Sequence, residues 1–421
     1  MELLIILITS IIIIFAIQTL LGRKQRYFFT YNGALYTLSK GTRFALLCII
    51  SAFLFGSITS GNIRLLTFGL LVLIYLFLKR NVFLTNLSIN ILFFLFFGWL
   101  IVTLFYSEDL TKGGLMLLKY FIPFMFMLFA YNSLSSKEDY LSFLIYANKI
   151  ILIYICFCWL KLVYPQLSIF YASANIVAAL SLVPIALYVI FKNKKNLYHA
   201  VIYFLPGFLL IRRAALGAMA LSDSIYLFIR YKLKSIFIIL FFFIIAIIIV
   251  FNDQNIKERV FGGDKQSTNI TYEELFNDNI LDNINTSGRS GMWEIVMDKF
   301  YKNHEMVGSG LGTMKHFLES ELNSNRSAFL IIHNDYIHLL CETGWIGLSL
   351  WILYILNIFR ILITSFKKSK DIIIKSGNLV AIGSLTATSF NMYFDNIVST
   401  TSTFILPFIL IGFAMKLNHL Q

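Results

Sequence analysis

Residues 345–364 read WIGLSLWILYILNIFRILIT, twenty residues with one charge, Arg360. A helix rises about 1.5 Å per residue, so some 20 apolar residues cross the roughly 30 Å hydrocarbon core of a bilayer. This stretch is predicted to span a membrane. The same criterion marks further apolar segments near residues 3–21, 44–60, 63–78, 87–106, 114–131, 140–163 and 174–191. Others follow near 198–211, 214–230, 235–251, 374–394 and 400–416. The two shortest, 63–78 and 198–211, set the expectation at twelve or thirteen spans. Composition agrees, with 58% hydrophobic and 14% charged residues among 421 and a mean hydropathy of +0.77. Soluble domains carry about 25% charged residues. The expected fold class is an all-α polytopic membrane protein.

The net charge of +13 does not point to nucleic acid, because the basic residues sit in short loops between apolar segments. With Arg23, Lys24, Arg26, Lys40 and Arg43 in the cytoplasm, strict alternation also puts four further basic groups there. These are Lys79-Arg80, Lys192/Lys194/Lys195, Arg230/Lys232/Lys234 and Lys367/Lys368/Lys370. That is the positive-inside pattern. It places the N-terminus outside and the C-terminus in the cytoplasm. Residues 1–21 lack a basic n-region and a small-residue cleavage site, so they read as an uncleaved first span. Cys48, Cys156, Cys158 and Cys341 lie in or beside apolar segments and read as small apolar filler.

One connection differs from the rest. Residues 252–328 are polar, fall on the external side, and hold twelve of the chain's twenty-two acids. A loop of this length is uncommon and usually functional or disordered. Its second half carries Trp293, Val296, Met297 and Phe300 at helical spacing, which predicts a short helix on the membrane face. Three regions result: a transmembrane bundle over 1–251, the external loop over 252–328, and a re-entry helix with further spans over 329–421.

Polar chemistry gathers where the chain returns to the membrane, at HNDYIHLLCETGWIG (333–347). Helical spacing puts His333, Ile337, Leu340, Gly344 and Gly347 on one stripe, and Asn334, His338 and Glu342 on another. A re-entry helix with its own polar face is the plain reading. His333 is the stronger candidate for proton transfer, because His338 is rotated away from it. No H-x-x-x-H or Cys/His cluster accompanies either residue, so no metal site is expected. Arg212-Arg213 stands on the external side against the prevailing bias, and Arg289 sits among glycines where the loop becomes ordered. VGSGLGT (307–313) has the look of a phosphate-binding glycine run without the strand–turn–helix context that would support it. Asp223 is an intramembrane acid and hence a functional suspect. Glu108-Asp109 reads as a solvated loop pair, with a divalent-ion site as the competing reading.

GRSGMWE (288–294), VGSGLGT and HNDYIHLLCETGWIG, following one large external loop, resemble the O-antigen ligase and polymerase superfamily of bacterial membrane proteins. Arg213 followed by Ala-Ala-Leu stands where that family shows a Ser-Arg-Gly-like element, and Asn175 in SANIVAALSLVPIAL looks like the asparagine of its Pro-Asn-like motif. The resemblance covers roughly residues 85–415. Position 212 departs from it, being Arg where Ser is common, and residues 1–21 look like an extra span.

The resemblance implies transfer of a glycan from a polyprenyl pyrophosphate to an acceptor hydroxyl on the outer face of the inner membrane. It also implies a C-type glycosyltransferase-like fold and neither metal nor cofactor. The residue roles it suggests are His333 as general base, Arg213 and Arg289 with Arg212 on the pyrophosphate, and Asn334, Glu342 and Asn175 in support. A polymerase of lipid-linked repeat units is the preferred reading. A ligase onto lipid A core or another acceptor is the alternative, and a flippase of lipid-linked sugars would spread its polar residues over many spans. Partners under the first reading are the polyprenyl-pyrophosphate-linked oligosaccharide, membrane lipid and a chain-length regulator protein.

Overall fold

The computed structural model describes residues 2–22, 26–31, 33–53, 58–79, 84, 86–163, 174–209, 212–232, 235–236, 240, 289–320 and 332–420. The first half of the chain gives α1 (Glu2–Leu21), a hairpin of β1 (Arg26–Tyr31) and β2 (Ala34–Ser39), α2 (Lys40–Phe53), α3 (Ile58–Lys79), α4 (Leu87–Leu104), α5 (Leu110–Ser133) and α6 (Lys137–Val163). Next come α7 (Ala174–Ala179), α8 (Leu182–Phe191), α9 (Lys194–Ile202), α10 (Leu205–Leu209) and α11 (Arg213–Tyr231). The last part supplies α12 (Arg289–Val296), which continues as a π turn (Met297–Tyr301), then α13 (Thr313–Ser320), α14 (Asp335–Lys368), α15 (Ile372–Phe394) and α16 (Thr401–His419).

The architecture is all-α and polytopic, and six helices are long and apolar enough to cross a membrane among the described residues. The expected spans map onto these helices in different ways. The 44–60 segment is helical from Lys40 to Phe53 and again from Ile58, with 54–57 outside the described residues, and 174–191 is one of the six candidate spans, with a turn at Leu180 and Ser181 between α7 and α8. The 198–211 segment resolves into α9 and α10. Most of 235–251, and the loop residues 252–288, lie outside the described residues. A short two-stranded hairpin accompanies the helices without changing that class. Its signal is Asn32-Gly33 between two alternating apolar runs, with Gly33 at φ +78°. Tyr36 and Leu38 are buried, Phe29 packs edge-on against Tyr146 of α6, and the buried Asp139 accepts hydrogen bonds from Ser39 N and Thr42 Oγ1.

α15 is the central helix, in contact with α7, α8, α11, α14 and α16. Lipid tails are as apolar as leucine, so burial of apolar surface does little to drive such helices together, and close packing through small residues does more. A Cβ on Gly217 of α11 would come within 2.8 Å of the Phe390 ring, and one on Gly383 of α15 within 2.6 Å of Ser222 Oγ. As α11 advances from 217 to 222, α15 therefore retreats from 390 to 383. The two helices are antiparallel, which puts Arg213 and Asp395 at the same end of the bundle. Polar contacts between elements also collect at the two ends. One end holds Lys137–Asp371 (2.6 Å) and Asn378–Asn418 (2.9 Å), and the other holds Tyr106–Val307 (2.7 Å) and Asn175–Asp395 (2.9 Å).

Candidate active site

The site is built on the three residues before the long helix α14. Asn334 is its N-cap, with the side chain accepting from Tyr336 N and Ile337 N at 3.0 Å each. That satisfies two of the amides every helix start leaves without a partner. His333, one residue earlier, has φ +55°, in the left-handed region that residues with a Cβ rarely adopt. Such a conformation costs on the order of 1 kcal/mol and persists only where the surroundings impose it. They do so here from two sides. Trp293 Nε1 donates to Ile332 O (2.8 Å), and Tyr336 Oη donates to Ser389 O (2.9 Å). The Trp293 ring also meets Tyr393 edge-on, so α12, the turn at 332–334 and the end of α15 form one unit.

His333 Nδ1 lies 3.1 Å from Oδ1 of Asp395, the residue that ends α15. Asp395 Oδ1 also accepts from Asn396 N, and Oδ2 accepts from Asn175 Nδ2, each at 2.9 Å. Burial raises the pKa of this carboxyl. The hydrogen bonds from His333, Asn396 and Asn175 and the histidine's charge outweigh that effect and hold it below the usual carboxylate range. An ionised carboxylate accepts only, so the shared proton sits on Nδ1 and a neutral imidazole keeps its lone pair on Nε2. The His333 side chain is 32% exposed, enough for a reactant to reach it.

The structure brings Asn175 to this pair, joined through Asp395, and puts Arg212 and Arg213 at the same end of the bundle. Both arginines are exposed; Arg212 is the N-cap residue of α11 and Arg213 its first helical residue. Arg289 opens α12, one turn before the Trp293 that anchors Ile332. Glu342 does not reach His333. Its Oε1 lies 3.1 Å from His338 Nε2 and accepts from Met314 N, so His338 and the buried Glu342, two of the three residues on the second stripe, face each other. The expected stripes therefore fail in two places. His333 and Asn334 precede the helix, and Gly344 (φ +67°, ψ −173°) breaks it.

The glycine run has a structural role at that break. Ser309 N and Gly310 N donate to the carbonyls of Cys341 and Glu342, and Trp345 N and Ile346 N donate to those of Glu305 and Met306. The segment 305–310 thus replaces the partners that α14 loses at Gly344, so the backbone groups at the break stay paired. Gly308, Gly310 and Gly312 all have positive φ, and a Cβ on any of them would strike backbone atoms at 2.9 Å or less. With these amides occupied, the run is a packing clasp and not a phosphate cradle. Asp109 caps α5 by accepting from Thr111 N and Lys112 N and pairs with His316 at 3.3 Å, while Lys112 reaches Glu319 at 2.9 Å. These contacts tie α13 to α5. Asp223 sits ten residues along α11 from Arg213, about 15 Å down the helix, and belongs to a different level of the bundle.

Asp395 is the residue that the sequence reading did not single out. A lone aspartate after an apolar run resembles any solvated helix end, and only the fold brings it to a histidine 62 positions away. The arrangement defines a polytopic membrane protein with a histidine–carboxylate pair and arginines at one end of its bundle. Residues 199–352 match the family model described as O-Antigen ligase, and this match supports the O-antigen ligase and polymerase superfamily, whose members are membrane glycosyltransferase-like enzymes acting on lipid-linked oligosaccharides. The matched stretch contains Arg212, Arg213, Arg289, His333, Asn334 and Glu342, and it excludes Asn175 and Asp395. A search of curated proteins found no match.

Proposed function

We propose that this protein is a polymerase that joins polyprenyl-pyrophosphate-linked oligosaccharide repeat units into a surface polysaccharide. The observation that carries the reading is the 3.1 Å contact of His333 Nδ1 with Asp395 on a partly exposed imidazole. His333 Nε2 takes the proton of the acceptor hydroxyl while that oxygen attacks the anomeric carbon of the donor. The bond from this carbon to the pyrophosphate oxygen breaks, and polyprenyl pyrophosphate departs with the electron pair. The imidazolium formed is stabilised by Asp395 and returns its proton to solvent. Arg213 and Arg289, with Arg212 beside them, meet the leaving pyrophosphate through bidentate guanidinium bonds, for which lysine is a poor substitute.

In this reading the protein lies in the bacterial inner membrane with the His333 end facing outward. The lysine and arginine bias of the opposite loops supports that orientation. The second reading, a ligase, is favoured by the description of the matching family model. Purified protein supplied with the lipid-linked repeat unit alone separates the two. A ladder of longer lipid-linked glycans is the polymerase result. Product that forms only after lipid A core or another acceptor is added makes the protein a ligase, and absence of both products contradicts the reaction class.

A further inference from the structure

Asp335 follows His333 and Asn334, and its carboxylate is 1% exposed. An acid in the first turn of a helix ordinarily interacts with that helix's own amides and dipole. Here those amides are occupied, because Tyr336 N and Ile337 N both donate to Asn334. Asp335 Oδ2 instead accepts from Ile397 N (2.7 Å) and Val398 N (3.1 Å), in the loop between α15 and α16 that begins with Asp395. Its other oxygen, Oδ1, is buried and has no hydrogen-bond partner among the described residues. The turn that carries His333 and the loop that carries Asp395 are thus joined at two places, by the His333–Asp395 contact and by this backbone clamp.

We infer that Asp335 is a positioning residue, which acts on the reaction through Asp395 by holding the 395–398 loop in register with His333. The inference rests on the role of the His333–Asp395 pair proposed above. The clamp consists of two hydrogen bonds from adjacent backbone amides to one buried carboxyl oxygen, and removing it would leave those amides without their acceptor. Losing it frees the carboxylate to move relative to the imidazole, and a misplacement of about 1 Å costs on the order of 10²-fold in a positioned reaction. Nothing in the clamp touches substrate, so kcat and not KM should carry the loss.

The test is turnover of the lipid-linked repeat unit by full-length protein bearing Asp335→Ala or Asp335→Asn, each in the wild-type and in an Asp395→Ala background. Asp335→Ala should lower kcat about 10²-fold with KM unchanged. Asp335→Asn keeps an acceptor for the two amides and should recover most of that loss. With Asp395 already truncated, Asp335→Ala should cost almost nothing further, as residues acting through one another are non-additive. A full second loss in the double variant overturns the proposal, as does wild-type kcat for Asp335→Ala. If Asp335→Ala does not accumulate, the near-isosteric Asp335→Leu replaces it, and failure of both to accumulate assigns Asp335 to folding and overturns the proposal. An active His333→Asn variant would instead remove the base assignment itself, a result distinct from these.

Discussion

Replacing Asp395 by asparagine tests how the carboxylate acts, and the structure sets the expected size. Three donors converge on Asp395: His333 Nδ1 and Asn396 N on Oδ1, and Asn175 Nδ2 on Oδ2. An asparagine has one oxygen and one amino group to offer in their place. With its amino group toward His333 it would also face the backbone N–H of Asn396, which cannot turn away. The oxygen therefore takes the histidine side, and the amino group faces Asn175, whose amide can reverse to present its own oxygen. Asp395→Asn should keep the proton on Nδ1 and lose only the charge. A charge-assisted hydrogen bond is worth about 1.5–3 kcal/mol and a neutral one about 0.5–1.5. The carboxylate is more than a third exposed, which places the difference near the low end, about 1–1.5 kcal/mol or roughly 5–10-fold in rate. Asp395→Ala removes all three contacts and should cost about 10²-fold or more, the range of a disoriented base. Adding Asn175→Ala should hurt Asp395→Asn less than it hurts the wild type. The assay is initial rate of glycan transfer by purified protein. Equal losses for Asp395→Asn and Asp395→Ala would refute the argument from Asn396 N, since charge alone would then account for the carboxylate.

The clasp at Gly344 predicts that Gly344→Ala destabilises the protein by about 3 kcal/mol or more, because a Cβ there would fall 2.2 Å from Met306 O on a backbone conformation open to glycine. Gly114→Ala, with no heavy atom within 4 Å, is the control and should unfold in detergent at or slightly above the wild-type temperature. Arg213→Lys and Arg289→Lys should each lower turnover roughly 10²-fold while the protein accumulates normally. Cysteine placed at the exposed Lys302 should react with an impermeant reagent in intact cells, whereas cysteine at Lys195 should react only after permeabilisation. The reverse pattern would invert the proposed orientation.

Much of the bundle is legible in hydropathy, because a membrane span must satisfy its backbone within one helix and so leaves a long apolar signature. The His333–Asn334 turn is legible as chemistry out of place beside such a span. Other features resist reading for specific reasons. Positive φ at Gly308, Gly310 and Gly312 reports a backbone requirement, and a phosphate cradle and a packing clasp make the same requirement. Spacing on 333–347 presumes one continuous helix, but the helix starts at Asp335 and breaks at Gly344. Glu342 stands in support of His333 only in the roles the resemblance implies, and its partner is His338 one turn away, as their shared stripe allows. Asp395 carries no local pattern, and its identity as the histidine's partner depends on the antiparallel packing of α11, α14 and α15. The hairpin signal at Asn32-Gly33 is local, and the basic residues on either side of it mark the same segment as a loop between spans.

The most direct test of the account is turnover by His333→Asn. Asparagine tolerates the left-handed conformation that position 333 requires, so this variant should fold and accumulate as the wild type does. It has no group able to take a proton from a hydroxyl, and a positioned base is worth about 10²–10⁴-fold. With purified protein and a lipid-linked repeat unit, the account predicts glycan transfer reduced by at least about 10²-fold at unchanged protein yield. Transfer at the wild-type rate would contradict it and place the base elsewhere.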